Sequence, residues 1–344
     1  MSLPMKYKNL DGQKILVTGA AGFIGGALFH RLASYGLDVT GTVLHPSEAE
    51  ELRAAGHKAE ILDLSSDERW DDLLRGKDQV FHIAAMFQEV NHNEKMYDKV
   101  NNAGSFKLAQ TASRVGVKRF VHCSTVGVHG HVKEIPATEK TPFNPMDEYH
   151  RTKLAGELAI LEFAKHLPDD GMIVPVNRPS MVYGPGDMRL LKLFKMILTE
   201  KFRMIGSGDV LAHFGYIEDQ VDSLLLCAVA PRDQVHCEAF NIASSQPITL
   251  NELTAIIAAI GGVKLRSPKI PVSLVWGAGL CCELMCKPFG LRPPIFRRRV
   301  GFFTHNRAFD YSKAKTHLNY EPKWDEARGI KATIEWYRKQ GLVP

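Results

Sequence analysis

The sequence reads as an α/β protein built on a doubly wound parallel sheet, with a smaller C-terminal lobe to receive a substrate. Two features point there. From Lys14 to Val176 short apolar runs alternate with helical stretches, and the first run, KILVT, empties into a glycine-rich turn at the head of a helix. A parallel connection must travel back along the sheet before the next strand begins, which is what this alternation supplies. KILVT (14–18), DVTGTVL (38–44), KAEIL (58–62), DQVFHIAA (78–85), RFVHCS (119–124) and MIVPV (172–176) are expected strands. Between them FIGGALFHRLASY, AEELRAAG, SFKLAQTASRVG and YHRTKLAGELAILEFAKH are the return helices. Residues 12–178 form the sheet domain and 179–344 mainly the substrate lobe, with a segment near 214–243 returning to the sheet. In the lobe, helices are expected at ELTAIIAAIG (252–261) and DEARGIKATIEWYRKQ (325–340).

Composition narrows the function. With 45% hydrophobic and 24% charged residues, the 344-residue chain is neither disordered nor a disulfide scaffold. The excess of 43 Lys and Arg over 38 Asp and Glu is small and dispersed apart from Arg297, Arg298 and Arg299, so no nucleic-acid partner is expected. The six cysteines follow no disulfide or zinc spacing, and no metal is expected. Residues 1–12 lack the apolar run of a secretory signal, and a cytoplasmic location follows. IPVSLVWGAGLCC (270–282) is cut short by Glu283 and Lys287, below the ~20 residues of a membrane span. It reads as a partly buried helix of the lobe or as a greasy interfacial helix, since Trp276, Leu280 and Met285 precede Phe289, Phe296 and the three arginines; peripheral membrane contact is the consequence of the second reading.

The turn after KILVT carries Gly19, Gly22 and Gly25. Gly19 permits the tight turn, Gly22 lets the main chain approach a pyrophosphate, and Gly25 lets the helix lie close on the strand. The first-turn amides, including those of Phe23 and Ile24, then face the ligand. This is the dinucleotide-binding arrangement of the Rossmann fold. An NAD site would show an acid at the end of the second strand, where Val43 to Ser47 have none; His45 and Ser47 could hydrogen-bond a phosphate, so the cofactor is NAD(P) with NADP favoured. Asp63 and Leu64, after the third strand, could meet the adenine edge, or Asp63 could cap the following helix.

Tyr149 and Lys153 share one face at the start of a helix, where an ammonium would pull a phenol down from about 10. Tyr311 and Lys315 repeat the spacing, but Tyr149 opens the helix after the strand that ends in Ser124 and Thr125.

With these residues the chain resembles the extended short-chain dehydrogenases/reductases, the superfamily of nucleotide-sugar epimerases, dehydratases and 3β-hydroxysteroid dehydrogenases. The likeness rests on TGAAGFIG (18–25), DL (63–64), HIAA (82–85), VNNAGS (100–105), CSTVGVHG (123–130), YHRTK (149–153) and NRPSMVYGPGD (177–187). It implies that Thr125 holds the substrate oxygen, Tyr149 is the acid/base, and Lys153 binds the nicotinamide ribose and tunes the tyrosine. Ala84, Ala85 and Pro179 would line the cofactor, and Asn101 would support the region of the fourth strand. The helices around 95–115 and 149–166 resemble the pair that forms a four-helix interface in this family, so a homodimer is expected.

The dehydratases follow the matching threonine with an Asp-Glu pair; Val126 and Gly127 stand there, which disfavours elimination. The arginines that clamp a diphosphate in sugar-nucleotide enzymes are reduced to one candidate, Arg307. The segment from Ile270 resembles the tail of 3β-hydroxysteroid and sterol-4-carboxylate 3-dehydrogenases and also of hopanoid-associated sugar epimerases. Val275, Trp276, Leu280, Phe289, Phe296, Phe302 and Phe303 could surround a polycyclic lipid or simply pack the lobe. The expectation is hydride transfer at a secondary alcohol or ketone, at the 3-position of a sterol-like molecule. The alternatives are a nucleotide-sugar epimerase with retained cofactor and a non-catalytic NADP-sensing scaffold, and the Thr125, Tyr149 and Lys153 set argues against the last.

Overall fold

The computed structural model describes residues 2–66, 68–87, 94–266, 269–286 and 301–344. Phe289, Phe296 and Arg297 to Arg299 lie outside the described residues. Seven parallel strands, β1 (Lys14–Thr18), β2 (Asp38–Val43), β3 (Lys58–Ile61), β4 (Gln79–His82), β5 (Arg119–Cys123), β6 (Val176–Pro179) and β10 (Ala239–Ile242), lie in the order β10-β6-β5-β4-β1-β2-β3. The chain winds outward from β1 in both directions, so a crevice opens between the carboxyl ends of β1 and β4, where successive connections leave on opposite faces.

One face of the sheet is covered by α1 (Phe23–Ser34) and α8 (Ile217–Val229), whose Leu28, Phe29, Leu32, Leu224 and Leu225 pack on Ile15 and Val17. The other is covered by α5 (Ser105–Arg114) and α6 (Glu148–Lys165), whose Leu108, Ala109, Ala112, Ile160 and Ala164 pack on Leu16, Val80 and Phe120. Burial on both faces explains why the strands read as continuous apolar runs. The short helix α2 (Pro46–Ala54) packs on the α1 face through Ala49 and Leu52, α3 (Asp71–Leu74) packs on the other through Leu74, and α4 (Glu94–Asp98) leads through a π-helical turn at Lys99–Gly104 into α5.

The lobe has its own core, made by β7 (Met181–Tyr183), β9 (Phe214–Tyr216), α7 (Leu191–Leu198), α10 (Leu250–Gly261) and the last helix, α13 (Glu326–Lys339). A short pair, β8 (Leu211–Ala212) with β11 (Ile248–Thr249), borders it, and α9 (Arg232–Val235), α11 (Val272–Cys286) and α12 (Ser312–Leu318) complete the chain. Of the segment 214–243, only Ala239–Ile242 joins the large sheet; Phe214–Tyr216 pairs with β7 apart from it.

The expected strand at 172–176 lies further on, at Val176–Pro179. Pro175 has no N–H to give, so the approach is irregular: an isolated bridge joins Ile173 to Arg119, the Val174 carbonyl accepts from Cys237 N at 3.0 Å, and the Pro175 carbonyl accepts from His122 N at 3.0 Å.

α6 is seated on the sheet by a buried ion pair. Arg178 at β6 donates from Nε to both oxygens of Glu157 (3.0 and 3.2 Å) and from Nη2 to Oε1, with the two side chains 3% and 0% exposed. The guanidinium lies 5.1 Å over the Phe143 ring and its Nη1 reaches His129 Nε2 at 3.4 Å. Removing one partner leaves the other charge unpaired in the core. Glu157→Ala is expected to lower unfolding free energy by about 3–5 kcal/mol, read from urea midpoints, while the double replacement of Glu157 and Arg178 by Met costs less than the single variant.

Candidate functional site

The glycine turn is shaped by two contacts. Gly19 has φ +73°, and a Cβ there would stand 3.0 Å from Ala84 Cα, so a left-handed backbone and a close approach both require glycine. A Cβ on Gly25 would stand 2.1 Å from the Gly19 carbonyl oxygen, which ties the helix to the strand end. Gly22 is the N-cap of α1 and gives no side-chain cap, so the amides of Phe23, Ile24 and Gly25 lack a capping oxygen at the positive end of the helix. This cradle fits the pyrophosphate of NAD(P). Arg189, from the loop after β7, lies 5.1 Å over the Phe23 ring and is held by Asp187 (Nε to Oδ1, 2.7 Å).

Further along the edge, His45 caps α2, and its amide donates to Glu48 Oε2 at 3.2 Å. The acid sought at residues 43–47 therefore stands just beyond them, folded back on the end of β2. A carboxylate there suits free ribose hydroxyls better than a phosphate. Asp63 caps its own turn, accepting from Ser65 N (2.8 Å) and Ser65 Oγ (2.7 Å), not the helix that follows. The Leu64 side chain is buried in the core under α5, leaving only its main chain for a ligand. Ala84 and Ala85 follow β4 beside Gly19, and Pro179 ends β6, paired with Ile242.

At the head of α6, Asp147 Oδ1 accepts from His150 N at 2.9 Å and fixes the first turn. Lys153, buried, donates from Nζ to the Cys123 carbonyl at the end of β5, at 2.6 Å. Thr125, two residues beyond, accepts from Gly127 N at 3.0 Å through Oγ1, leaving its proton to donate to another oxygen. The Tyr149 ring stands edge-on to Phe87 at 4.8 Å and to His150 at 5.1 Å. α6 and the end of β5 thus bring Thr125, Tyr149 and Lys153 to one corner of the sheet edge.

The charge balance of that corner differs from the one its spacing suggests. Burial pushes the Tyr149 hydroxyl above its usual range, and Arg189 pulls the other way. Burial also draws the Lys153 amine down. Low dielectric disfavours both charged forms, and this outweighs the help the ammonium was expected to give the phenol. Arg189 was missed in the sequence, lying 40 residues from Tyr149 in a loop whose position depends on the lobe.

Residues 15–243 match the model of the NAD dependent epimerase/dehydratase family. The chain belongs to that family. It is 30% identical over 93% of its length to 3β-hydroxysteroid-dehydrogenase/decarboxylase isoform 1 of Arabidopsis thaliana, covering 78% of that protein. It is 28% identical to UDP-glucose 4-epimerase of Mycolicibacterium smegmatis, over 95% of this chain and 99% of the other. The structure of UDP-glucose 4-epimerase from Thermotoga maritima with UDP-glucose superposes with a TM-score of 0.74 at 26% identity, covering 95% of this chain and 99% of that one.

In this epimerase/dehydratase family member, two buried polar chains hold the crevice walls. Thr18 Oγ1 accepts from Ile83 N (2.9 Å) and Ala84 N (3.0 Å), so its proton goes to His82 Nδ1 at 2.9 Å. His82 then carries its proton on Nε2, donating to Ser105 Oγ (2.9 Å), which donates to the Val100 carbonyl (3.3 Å). Asn101 accepts from Met86 N (2.8 Å), and its Nδ2 donates to the Met86 carbonyl (3.1 Å) and to Thr152 Oγ1 (3.2 Å), joining the loop after β4 to α6.

Burial, helped by the charge of Lys153, pushes His82 down to about 3, and burial pushes His213 down to about 4. In the unfolded chain histidine takes its proton near 6.5, so the stability from keeping His82 neutral is fully present above that pH and is lost as pH falls towards 3. At pH 4.5 His82 accounts for about 2–3 kcal/mol of lost stability. A urea series at pH 7.5 and 4.5 should show this loss, reduced in His82→Gln; an equal acid loss in the variant would contradict it.

Proposed function

We propose that this protein is an NAD(P)-dependent oxidoreductase acting on the secondary alcohol or ketone of a sterol-like or similarly apolar substrate, at its 3-position. The observation that carries this reading is the placing of Thr125, Tyr149 and Lys153 beside a phosphate cradle on one sheet edge. Bound NAD(P) supplies the hydride acceptor or donor. Thr125 donates to the substrate oxygen and fixes the carbon in position. Tyr149 takes the hydroxyl proton during oxidation or returns it during reduction. Lys153, tethered to Cys123, holds the ribose and adds positive charge beneath the phenol. A substrate with a neighbouring carboxylate would give a β-keto acid on oxidation, which loses carbon dioxide. The Arabidopsis relative, a 3β-hydroxysteroid-dehydrogenase/decarboxylase, supports this choice, as do the apolar side chains of Val275, Trp276, Leu280, Phe302 and Phe303 in the lobe. Gly19, Gly22, Phe23, Ile24, Gly25, His45, Asp63, Leu64, Ala84, Ala85 and Pro179 would line the cofactor, and Glu48 favours NAD over NADP.

A second reading, a sugar-nucleotide epimerase with retained cofactor, is favoured by one cluster. His131 and His305 lie tilted to one another with ring centroids 4.4 Å apart, and burial, with His131 and Arg307 close by, lowers the proton affinity of His305. The Arg307 guanidinium beside two imidazoles suits an anionic substrate group. The UDP-glucose 4-epimerases among the relatives support it.

The setting proposed is the cytoplasm, as a homodimer, with contact at a membrane surface. Six free thiols suit a reducing compartment. α5 and α6 lie side by side with Leu158 exposed on α6, which suits a helical dimer face. No helix among the described residues is long and apolar enough to cross a membrane. α11 nonetheless exposes Leu274 (65%), Trp276, Leu284 and Met285 (72%), a surface fit to rest in the headgroup region.

With a 3β-hydroxysteroid and either NAD or NADP, absorbance at the reduced nicotinamide should rise, with the larger kcat/KM for NAD. Tyr149→Phe should lower kcat by about 10²–10⁴-fold while NAD affinity holds; unchanged turnover would remove the catalytic assignment. Phosphatidylglycerol-rich vesicles should float the wild type, and Leu274→Glu with Met285→Glu should leave it in the dense fraction; equal flotation would remove the membrane reading.

A further inference from the structure

His150 has a side chain that the first turn of α6 does not need. The N-cap bond to Asp147 comes from the His150 main-chain amide, so any residue at 150 would close that cap. The ring does something else. It lies over Gly127 so closely that a Cβ on residue 127 would stand 2.1 Å from Cδ2 and 2.2 Å from Nε2. A side chain of any size at 127 would expel the imidazole, and glycine is what admits it. On its other edge Nδ1 is buried 2.9 Å from Asp147 Oδ1 without a hydrogen bond to it, and the Tyr149 ring flanks it at 5.1 Å.

Its surroundings are those of the reacting corner. Gly127, under the Nε2 edge, gives its amide to Thr125 Oγ1, and Tyr149 is the next residue in the chain. The imidazole therefore packs on the turn that carries Thr125 and beside the Tyr149 ring. It is partly open, with 27% of the side chain exposed against 10% for Asp147, so a bound molecule can reach it. Asp147 occupies the Nδ1 edge. Nε2 is left as the nitrogen that faces the Thr125–Gly127 turn, and in either protonation state a ring nitrogen there is a hydrogen-bonding group.

We propose that His150 is a substrate-binding residue whose Nε2 takes an oxygen-bearing substituent on the carbon next to the carbinol, making it a determinant of specificity in the reaction proposed above. The inference rests on that reading for the place of the carbinol. Gly127 makes the room and Asp147 borders the buried edge of the ring, so the Nε2 edge is the one turned to the Thr125 turn. A site that holds a polar group in this way discriminates against analogues that lack it, since the nitrogen would be left unpaired.

Three probes test it: a 3β-hydroxysteroid without a 4-substituent, its 4-hydroxymethyl derivative and its 4-carboxylate. In the wild type the last two are expected to show the higher kcat/KM, and the better of them tells whether the group read is neutral or anionic. His150→Phe, which keeps a ring of similar size, should lower the preference for the oxygen-bearing steroids over the plain one by about 10–100-fold, mostly through KM. Gly127→Ala should reproduce that loss by displacing the ring, and His150→Gln should recover part of it. Affinities of the same steroids for Tyr149→Phe loaded with NAD, measured by calorimetry, read the contact without turnover. If the steroids bind and discriminate without being oxidised by the wild type, the catalytic reading fails and this one stands. If neither kcat/KM nor affinity separates the three steroids, or if His150→Phe changes all three equally, the assignment of His150 is overturned.

Discussion

The seating of α6 on the sheet is the constraint on which the reacting corner depends. Two buried polar links, one helical turn apart, make it: Lys153 to the Cys123 carbonyl and Glu157 to Arg178. On its other side α6 meets the π-helical turn, where a Cβ on Gly156 would stand 2.2 Å from the Asn101 carbonyl oxygen. The helix cannot slide or rotate without breaking an ion pair that the core cannot leave half-made. Its N-terminal turn is thereby fixed over the ends of β4 and β5, and with it the positions of Tyr149 and His150. The polar groups of the crevice are thus placed by interactions made well below it.

This rigidity sets an electrostatic problem. Burial raises the proton affinity of Tyr149 and lowers that of Lys153, so the protein alone favours a neutral phenol beside a weakened cation. Arg189 works against the first effect from across the crevice, but its guanidinium is shared with the Asp187 carboxylate. The corner is in balance only when further positive charge enters it. A phenol in such a setting stays protonated and responds to an added charge more strongly than an exposed phenol would, because the low dielectric magnifies each charge.

What could be read from the sequence was what short-range sterics and periodicity decide. The glycine turn was legible because a strand running into Gly19, Gly22 and Gly25 has few other uses, and the parallel sheet because two-sided burial leaves apolar runs in the sequence. The start of β6 was misplaced because an apolar pattern does not register the N–H that Pro175 lacks. Glu48 lay past the strand end where an acid was sought, and only the turn into α2 folds it back. Within the reacting corner, the spacing of Tyr149 and Lys153 was visible but the sign of their shifts was not, since burial belongs to the folded lobe. The pairing of Gly127 with His150 was equally hidden: a glycine in a turn gives no sign in the sequence of which distant side chain it makes room for.

The choice between dehydrogenase and epimerase turns on how the far end of the substrate is held. Both remove hydride from a carbinol, so the Thr125, Tyr149 and Lys153 corner serves either. An epimerase must let the ketone turn over and still keep it, which requires a strong anchor away from the reacting carbon. Among the described residues the candidate charged anchor is Arg307, which burial pulls down, beside His305, whose proton affinity burial also lowers. The lobe instead presents an apolar helix, α11, with Leu274, Trp276, Leu284 and Met285 exposed, and attraction to such a surface is non-directional and proportional to area. A surface of this kind favours an apolar polycycle by area and supplies no charged point about which a ketone could turn over and stay bound. Hydride transfer followed by release is the outcome that this distribution of charge and apolar surface favours.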